Sequence, residues 1–355
     1  MLLGGRAADL YGRRKVLLSG LGGFTFVSLL IGLSQSSESF IVLRAVQGLT
    51  AAFMSPAAMS VLLTTFGEGK ERNRALSVWT IVAAGGGAVG VLLGGVITQL
   101  FGWHWDFFIN VPIGILVMFG IFKYVPAHSK EESDKNLDLP GAALITTGLI
   151  ALVFAISQAP EVGVLHPSVY GPFVAAILLI AGFLYNESRV KHPLVPLSIF
   201  RLRNVAGGNL IMVPAIASML GMFFFLSQYM QYILHYTPIQ SGLAFIPFPI
   251  LLGIVSWNAP KLLDRFGIKK LLIVGTILPT IGMGLLSMLP LDGNYVLNLL
   301  PSILLIPAGM GIFFLGAVLA ATSGVPARES GLVSGLINTS QQVGGALGIA
   351  LLAGV

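Results

Sequence analysis

The sequence predicts an all-α protein that crosses a membrane many times, and three observations predict it. Hydrophobic residues fill 55% of the 355 positions and charged residues only 10%, with a mean hydropathy of +0.89. A water-soluble chain of this length needs far more polar surface. Apolar runs of about 20 residues recur from end to end, the length a helix needs to cross a ~30 Å hydrocarbon core, whereas the alternation of a barrel strand is absent. Lysine and arginine, finally, occupy every second gap between those runs. The chain has no cysteine, which removes disulfides, thiol chemistry and thiolate metal ligands. Its net charge of +6 lies in short loops between apolar runs, so a bilayer and not nucleic acid is the expected partner.

The chain opens on the stretch around which the rest is organised, Gly5 to Lys15 (GRAADLYGRRK). Asp9 and the cluster Arg13, Arg14, Lys15 flank Gly12, and an apolar helix pattern starts at Val16. This reads as a tight interhelical loop packed against helix ends. A related stretch returns at Pro260 to Lys270 (PKLLDRFGIKK). Aligning Asp9 with Asp264 also aligns Gly12 with Gly267 and Arg14–Lys15 with Lys269–Lys270, an offset of 255 residues. Two related halves follow from that repeat. A turn joining two helices needs one on each side, so the chain reads as starting within a longer bundle; it stops at Val355 without a polar tail.

Eleven apolar spans then follow, at 16–33, 39–65, 77–99, 105–125, 139–158, 169–186, 205–233, 240–260, 271–289, 297–321 and 331–355. The first begins after the basic cluster and ends before the polar SQSSES. The second runs on past Pro56, and the third carries a glycine ladder. The fourth begins within the aromatic stretch WHWDFF. The fifth is announced by Asp138 as N-cap with Pro140 in the first turn. The eighth and ninth are separated by the repeated charged stretch. The loops 6–15, 66–74, 123–138, 186–203, 261–270 and 326–329 hold nineteen of the twenty Lys and Arg, and the loops between hold none. The positive-inside rule places the first set in the cytoplasm. A wrong span count would have scrambled this alternation. Residues 126–138 read as solvated loop, and 191–204 (KHPLVPLSIFRLRN) as a segment lying along the inner interface.

Arg44 is the twentieth basic residue and lies inside a span, where a guanidinium is costly unless paired, snorkelling or facing water. Arg44, Gln47, Ala51 and Ser55 share one helical face. The stripe is either a cavity-lining or proton-relay feature, or an arginine holding two helices together. Gly86, Gly90 and Gly94, with Gly95 beside them, recur at the spacing that lets helices approach closely. That packing is either static or altered between conformations. Gly331, Gly335, Gly344 and Gly348 set up similar contacts in the last span. All fourteen acidic residues fall in loops or at span ends, with Asp106 and Asp292 at outer ends, and the five histidines read as surface residues with no metal-ligand spacing. Candidate cavity residues are therefore the polar and aromatic side chains within spans: Ser55, Trp79, Asn209, Gln228, Tyr229, Trp257, Asn338, Gln341 and Gln342. Asn338, Gln341 and Gln342 share a face. A membrane enzyme would need acid–base or ligand clusters near span ends, and none is spaced that way.

These residues carry a family resemblance. Gly5–Arg14 (GRAADLYGRR) resembles the loop motif G-x-L-A-D-x-x-G-R-K/R of the major facilitator superfamily, with Ala7 at the usual leucine. RAVQG, from Arg44, resembles its R-x-x-x-G motif, and Gly86–Gly95 the G-x-x-x-G-P-x-x-G-G antiporter motif, with Val91 at the proline. WHWDFFINVPIG (Trp103–Gly114) and SGLINTSQQVGGALG are similar to stretches of its 14-helix drug:proton antiporter group. The resemblance implies two pseudo-symmetric six-helix bundles plus two extra central helices, with helices 3 to 13 present. Residues 1–125 would belong to the first bundle, 126–190 to the loop and extra pair, and 191–355 to the second bundle. It implies proton-coupled efflux of amphipathic organic compounds or drugs across the plasma membrane by alternating access. The proton would be the coupling ion, without other cofactors, in a monomer. Gly5, Asp9, Gly12, Arg13 and Arg14 would gate, Arg44 and Gln47 would couple the proton, and the membrane carboxylate would precede residue 1. Export of an endogenous metabolite, lipid or siderophore stays open, as does uniport or symport, given Val91.

Overall fold

In the computed structural model the expected spans appear as helices with boundaries close to those read from the sequence. The structure describes residues 1–126, 137–191, 193–325 and 329–352, and only the backbone of 84, 85, 87–89, 91, 92, 95, 160, 238, 351 and 352. His128, Lys130, Lys135, His192 and Arg328 lie outside these. The helices are α1 (Leu2–Tyr11), α2 (Arg13–Gly32), α3 (Ser37–Thr65), α4 (Lys70–Phe101), α5 (Trp105–Phe108), α6 (Asn110–Tyr124) and α7 (Leu139–Val162). They continue with α8 (Pro167–Arg189), α9 (Arg203–Gln228), α10 (Pro238–Ala244), α11 (Pro247–Leu286), α12 (Leu300–Thr322) and α13 (Ser330–Leu352). No strand occurs among the described residues. Among the described residues, eight helical stretches are long and apolar enough to cross a membrane. One of them, Ile239–Leu286, holds two of the expected spans; the span at 77–99 lies on α4, and the described part of the span at 331–355 lies on α13.

The expected loop at Gly5–Lys15 is corrected. Residues Leu2–Tyr11 are helical and the reversal is concentrated in Gly12, whose φ of 96° suits only glycine. The repeat behaves the same way. Helix α11 runs through Pro260–Lys270 and breaks only at Gly267, with φ 77°. Each copy is therefore helix, one glycine, helix. The copies differ in what the aspartate meets: Asp264 is half exposed and lies 3.9 Å from Lys70, whereas Asp9 is buried against α13, as described below.

The chain gathers into two compact units, one formed by Met1–Thr65, Ile97–Ser218 and Thr322–Val355, the other by Phe66–Val96 and Met219–Ala321. In the first, α2 pairs with α3, α7 with α8, and α1 packs on both α3 and α13. Small residues set these approaches, as expected where lipid offers no hydrophobic drive to association. A methyl group on Gly5 would overlap the carbonyl oxygen of Gly331, and one on Gly4 that of Ala52. Gly335 faces Met1 and Leu2, Gly344 faces Val213 and Gly348 faces Ala217, so the glycines of the last span do bring helices together. In the second unit Gly275 abuts Phe313 and Gly309 abuts Pro279, which joins α11 to α12.

The helix pair α7–α8 is stitched at one end by carboxylates. Asp138 caps α7 as expected, accepting from Gly141 N at 2.9 Å, and the Asn186 side chain on α8 donates to its other oxygen. Glu187 accepts from Val195 N at 3.0 Å, and Leu194 and Val195 are buried. Asp138→Ala is expected to cost about 0.5–2 kcal/mol, read as a lower apparent melting temperature in detergent. Asp138→Asn, which can still cap, should retain most of that stability.

Candidate functional site

The polar contacts of the first unit concentrate where α1, α3 and α13 meet. Asp9 stands in the last turn of α1, and its two carboxylate oxygens accept from the backbone N–H groups of Gly331 and Leu332, each at 3.0 Å. These are orphan donors of the first turn of α13, where the helix dipole favours a negative charge. Arg13, one turn further along the chain, pairs with Asp9 at 3.3 Å and donates from Nε to Ser60 Oγ at 2.8 Å. Ser60 in turn meets Ser330 Oγ at 2.9 Å. Burial pushes the Asp9 carboxyl up to about 6, while Arg13 and the two N–H groups pull it back toward the ionised form. Arg14 points elsewhere, donating to the Phe122 carbonyl at 2.7 Å with its guanidinium 4.7 Å from the Phe122 ring.

Further along the α3–α13 contact, Ser55 donates to Asn338 Oδ1 at 2.5 Å, so two expected cavity residues are engaged with each other. Asn209 accepts from Ser340 at 3.1 Å, and Gln341 lies against Met212. Gln342 is exposed, so Asn338, Gln341 and Gln342 share a face by spacing but not a common partner.

The Arg44 stripe divides. Arg44 donates to Gln47 Oε1 at 2.5 Å, and Gln47, fully buried, passes the contact on to Ser28 Oγ on α2 at 2.7 Å. The guanidinium sits 5.7 Å from the Phe107 ring. Phe107 belongs to an edge-to-face cluster with Phe40 and Trp103. Ser55, on the same face by spacing, turns instead to α13.

In the second unit, Phe223, Phe224, Ser227, Gln228, Gln231 and Tyr232 line an open groove of about 510 Å³. The groove lies where α9 passes into a π turn over Tyr229–Ile233; such turns are rare and frequently sit at functional positions. Tyr229 is held beside it by a hydrogen bond to the Pro290 carbonyl. Trp257 is half exposed and carries Arg74 at 5.2 Å above its ring, and Trp79 is half-buried. Gly86 and Gly90 are exposed, and no described atom lies within 4 Å of where a Cβ would stand. Gly94 is half-buried; the surroundings of Gly95 lie outside the described residues.

The helical scaffold also has known counterparts. Residues 1–349 match the model of the Major Facilitator Superfamily. The chain belongs to this superfamily. It is 39% identical over 355 residues to the cephamycin export protein CmcT of Amycolatopsis lactamdurans, covering 99% of this chain and 73% of that protein. It is 38% identical over 357 residues to the puromycin resistance protein pur8 of Streptomyces alboniger, covering 99% and 70%. Among solved structures, the proton:xylose symporter XylE bound to 6-bromo-6-deoxy-D-glucose superposes with a TM-score of 0.63 at 15% identity, over 98% of this chain and 74% of that one. At that identity the likeness speaks for the fold alone.

This facilitator is thus a multi-pass membrane protein of a transporter family. Some residues in its polar contacts had no signal in the sequence. Ser60 and Ser330 complete the Arg13 contact, yet Ser60 falls off the Arg44 stripe and Ser330 reads only as a serine at a helix start. Glu187 sits at the end of a span, a position usually read as surface, but is buried with one oxygen unpartnered. Asp106 likewise has a buried, unpartnered oxygen.

Proposed function

We propose that this facilitator exports amphipathic organic compounds of the antibiotic type, driven by protons moving inward, by alternating access between two related halves, residues 1–125 and 191–355, with 126–190 between them. It would work as a monomer in the plasma membrane with its basic loops in the cytoplasm, as the charge alternation favours. The observation that carries this reading is the Asp9 contact. It joins the first and last helices of the chain through a single carboxylate, two N–H groups and one arginine. Such a contact is strong enough to hold a conformation and small enough to be broken and remade in a cycle.

An amphipathic substrate is supported by the groove of the second unit, in which three aromatic rings and two glutamine side chains offer stacking and hydrogen bonding without a formal charge. The printed names of CmcT and pur8, an export protein and a resistance protein for two different antibiotics, support the compound class. The CmcT name also favours a second reading, dedicated export of one compound made by the same cell. Arg44 would bias a nearby carboxylate toward its ionised form, so that proton and substrate compete.

The test is proton release on substrate addition to the full-length protein in detergent, with ethidium, puromycin and a cephamycin as probes. Release on binding is expected in the wild type, with at least a tenfold smaller signal in Arg44→Ala. Binding without release would overturn proton antiport. Release with one compound alone would favour the dedicated exporter.

A further inference from the structure

We propose that the connection between α8 and α9, residues 189–203, is a docking surface for the headgroups of anionic phospholipids. The contact itself needs only that α8 and α9 both cross the bilayer. Its place in the cytoplasmic leaflet rests on the orientation proposed above.

Connectivity and two anchors fix the depth of this segment. Helix α8 ends at Arg189 and α9 starts at Arg203, and each lies in a stretch long and apolar enough to span a membrane. The short connection is therefore tied to one surface of the bilayer at both ends. At the α8 end the Arg189 guanidinium lies 5.6 Å from the ring of Tyr185, which is exposed. An aromatic ring carrying a cation suits the headgroup level, where one side is apolar and the other wet. The second anchor is Glu187, which accepts from Val195 N at 3.0 Å and closes the connection back onto α8.

The turn that follows separates two kinds of apolar side chain. Leu194, Val195 and Ile199 are buried and hold the segment to the protein. Leu197, Phe200 and Leu202, on and just after the 3-10 turn Leu197–Arg201, are 38%, 41% and 40% exposed. Large apolar side chains left without protein cover at a bilayer surface gain by entering the boundary between headgroups and acyl chains. Lys191, Arg201 and Arg203 are exposed beside them in the chain. Their long stems can follow the apolar side chains inward while the charges stay among the phosphates.

Charge selects the headgroup. From Ser188 to Leu263 the sequence contains no aspartate or glutamate. Asp138 and Glu187, at the neighbouring ends of α7 and α8, are buried and already accept from the N–H groups of Gly141 and Val195. Among the described residues none of Arg189, Lys191, Arg201 and Arg203 forms an ion pair. A zwitterionic headgroup meets such cations with an ammonium of its own, whereas an anionic one leaves its phosphate charge unbalanced and attracts them. Three of the four are arginines, whose planar fork binds a phosphate through two hydrogen bonds.

The experiment places a fluorophore on Ser198→Cys in the full-length protein, an exposed position within the turn of a chain that has no native cysteine. The protein is reconstituted in mixed phosphatidylcholine and phosphatidylglycerol vesicles, with a contact quencher, a nitroxide high on the acyl chain, carried by one lipid or the other. Quenching by the labelled phosphatidylglycerol is expected to be at least twofold stronger than by the labelled phosphatidylcholine. Joint replacement Lys191→Gln, Arg201→Gln and Arg203→Gln should abolish that preference, and Leu197→Ser with Phe200→Ser should weaken quenching by both lipids. A fluorophore on Leu165→Cys, in the loop at the other end of α7 and α8, should show no preference. Equal quenching by the two lipids at Ser198→Cys, a preference that survives the three glutamines, or the same preference at Leu165→Cys would overturn the site. A membrane-impermeant thiol reagent is expected to spare Ser198→Cys in intact cells. Labelling there would overturn the cytoplasmic leaflet and the proposed orientation together, a result separate from the lipid preference.

Discussion

Asp9→Ala is expected to loosen the packing of α1 on α13 at least tenfold in equilibrium terms and to reduce efflux to match. The substitution removes the acceptor of two helix N–H groups and the partner of Arg13 together, leaving buried donors unmet. A hydrogen bond to a charged group contributes about 1.5–3 kcal/mol, and about 1.4 kcal/mol is a factor of ten. Spin labels at Tyr11 on α1 and Gln342 on α13, in a chain with no native cysteine to remove, would report the separation by pulsed dipolar spectroscopy. An unchanged distance distribution in Asp9→Ala would sink the claim that Asp9 holds this arrangement.

The same contact has a pH dependence of determined sign. Packed against α13, Asp9 binds its proton with a pKa of about 6, against an ordinary value of 3.8. Burial therefore outweighs the N–H groups and Arg13. Protonation favours the packed arrangement over any state in which Asp9 faces water. That contribution is complete below about 3.8 and fades as the pH rises through about 6. The label distance should accordingly narrow on acidification from pH 7.5 to 5, and the response should vanish in Asp9→Asn, which cannot titrate. Widening on acidification would reverse the assignment.

The second large effect is steric. Gly5→Val is expected to cost about 1–3 kcal/mol or more and to abolish efflux, because the first added carbon already overlaps the Gly331 carbonyl oxygen and backbone cannot step aside as a side-chain tip can. Gly90→Ala, at a helical glycine with open space around it, should leave the melting temperature within about 1 °C and, by the higher helix propensity of alanine, leave or raise stability. Fluorescence-detected thermal unfolding of both variants in detergent compares them directly. Equal losses at Gly5 and Gly90 would mean that the close approach of α1 and α13 is not what the glycine provides.

Much of this protein was legible in its residues. The spans were readable because bilayer thickness fixes helix length and apolar runs report it directly. Asp138 was readable as a cap because capping is a contact between residues three apart. The 255-residue repeat located both helix breaks, Gly12 and Gly267, although not the helical conformation of Leu2–Tyr11, whose charges imitated a loop. Those charges are tolerated in a helix because Asp9 is met by α13, some 322 residues away in sequence.

The chain by itself therefore determined what depends on local chemistry and on the solvent: where helices form, the places where only glycine can turn, and the charge alternation of the loops. Tertiary structure alone decided which polar groups meet. Ser55 and Arg44 share a helical face, yet one turns to Asn338 on α13 and the other to Gln47 and, through it, to Ser28 on α2, because neighbours from distant parts of the chain stand at different heights along α3. Gly5 and Gly90 look alike in sequence, and only the presence of a second backbone makes one indispensable. The physical reason is the same in each case. Periodicity gives a side chain its direction from the helix axis, but burial and partnership belong to whatever the fold brings to that side.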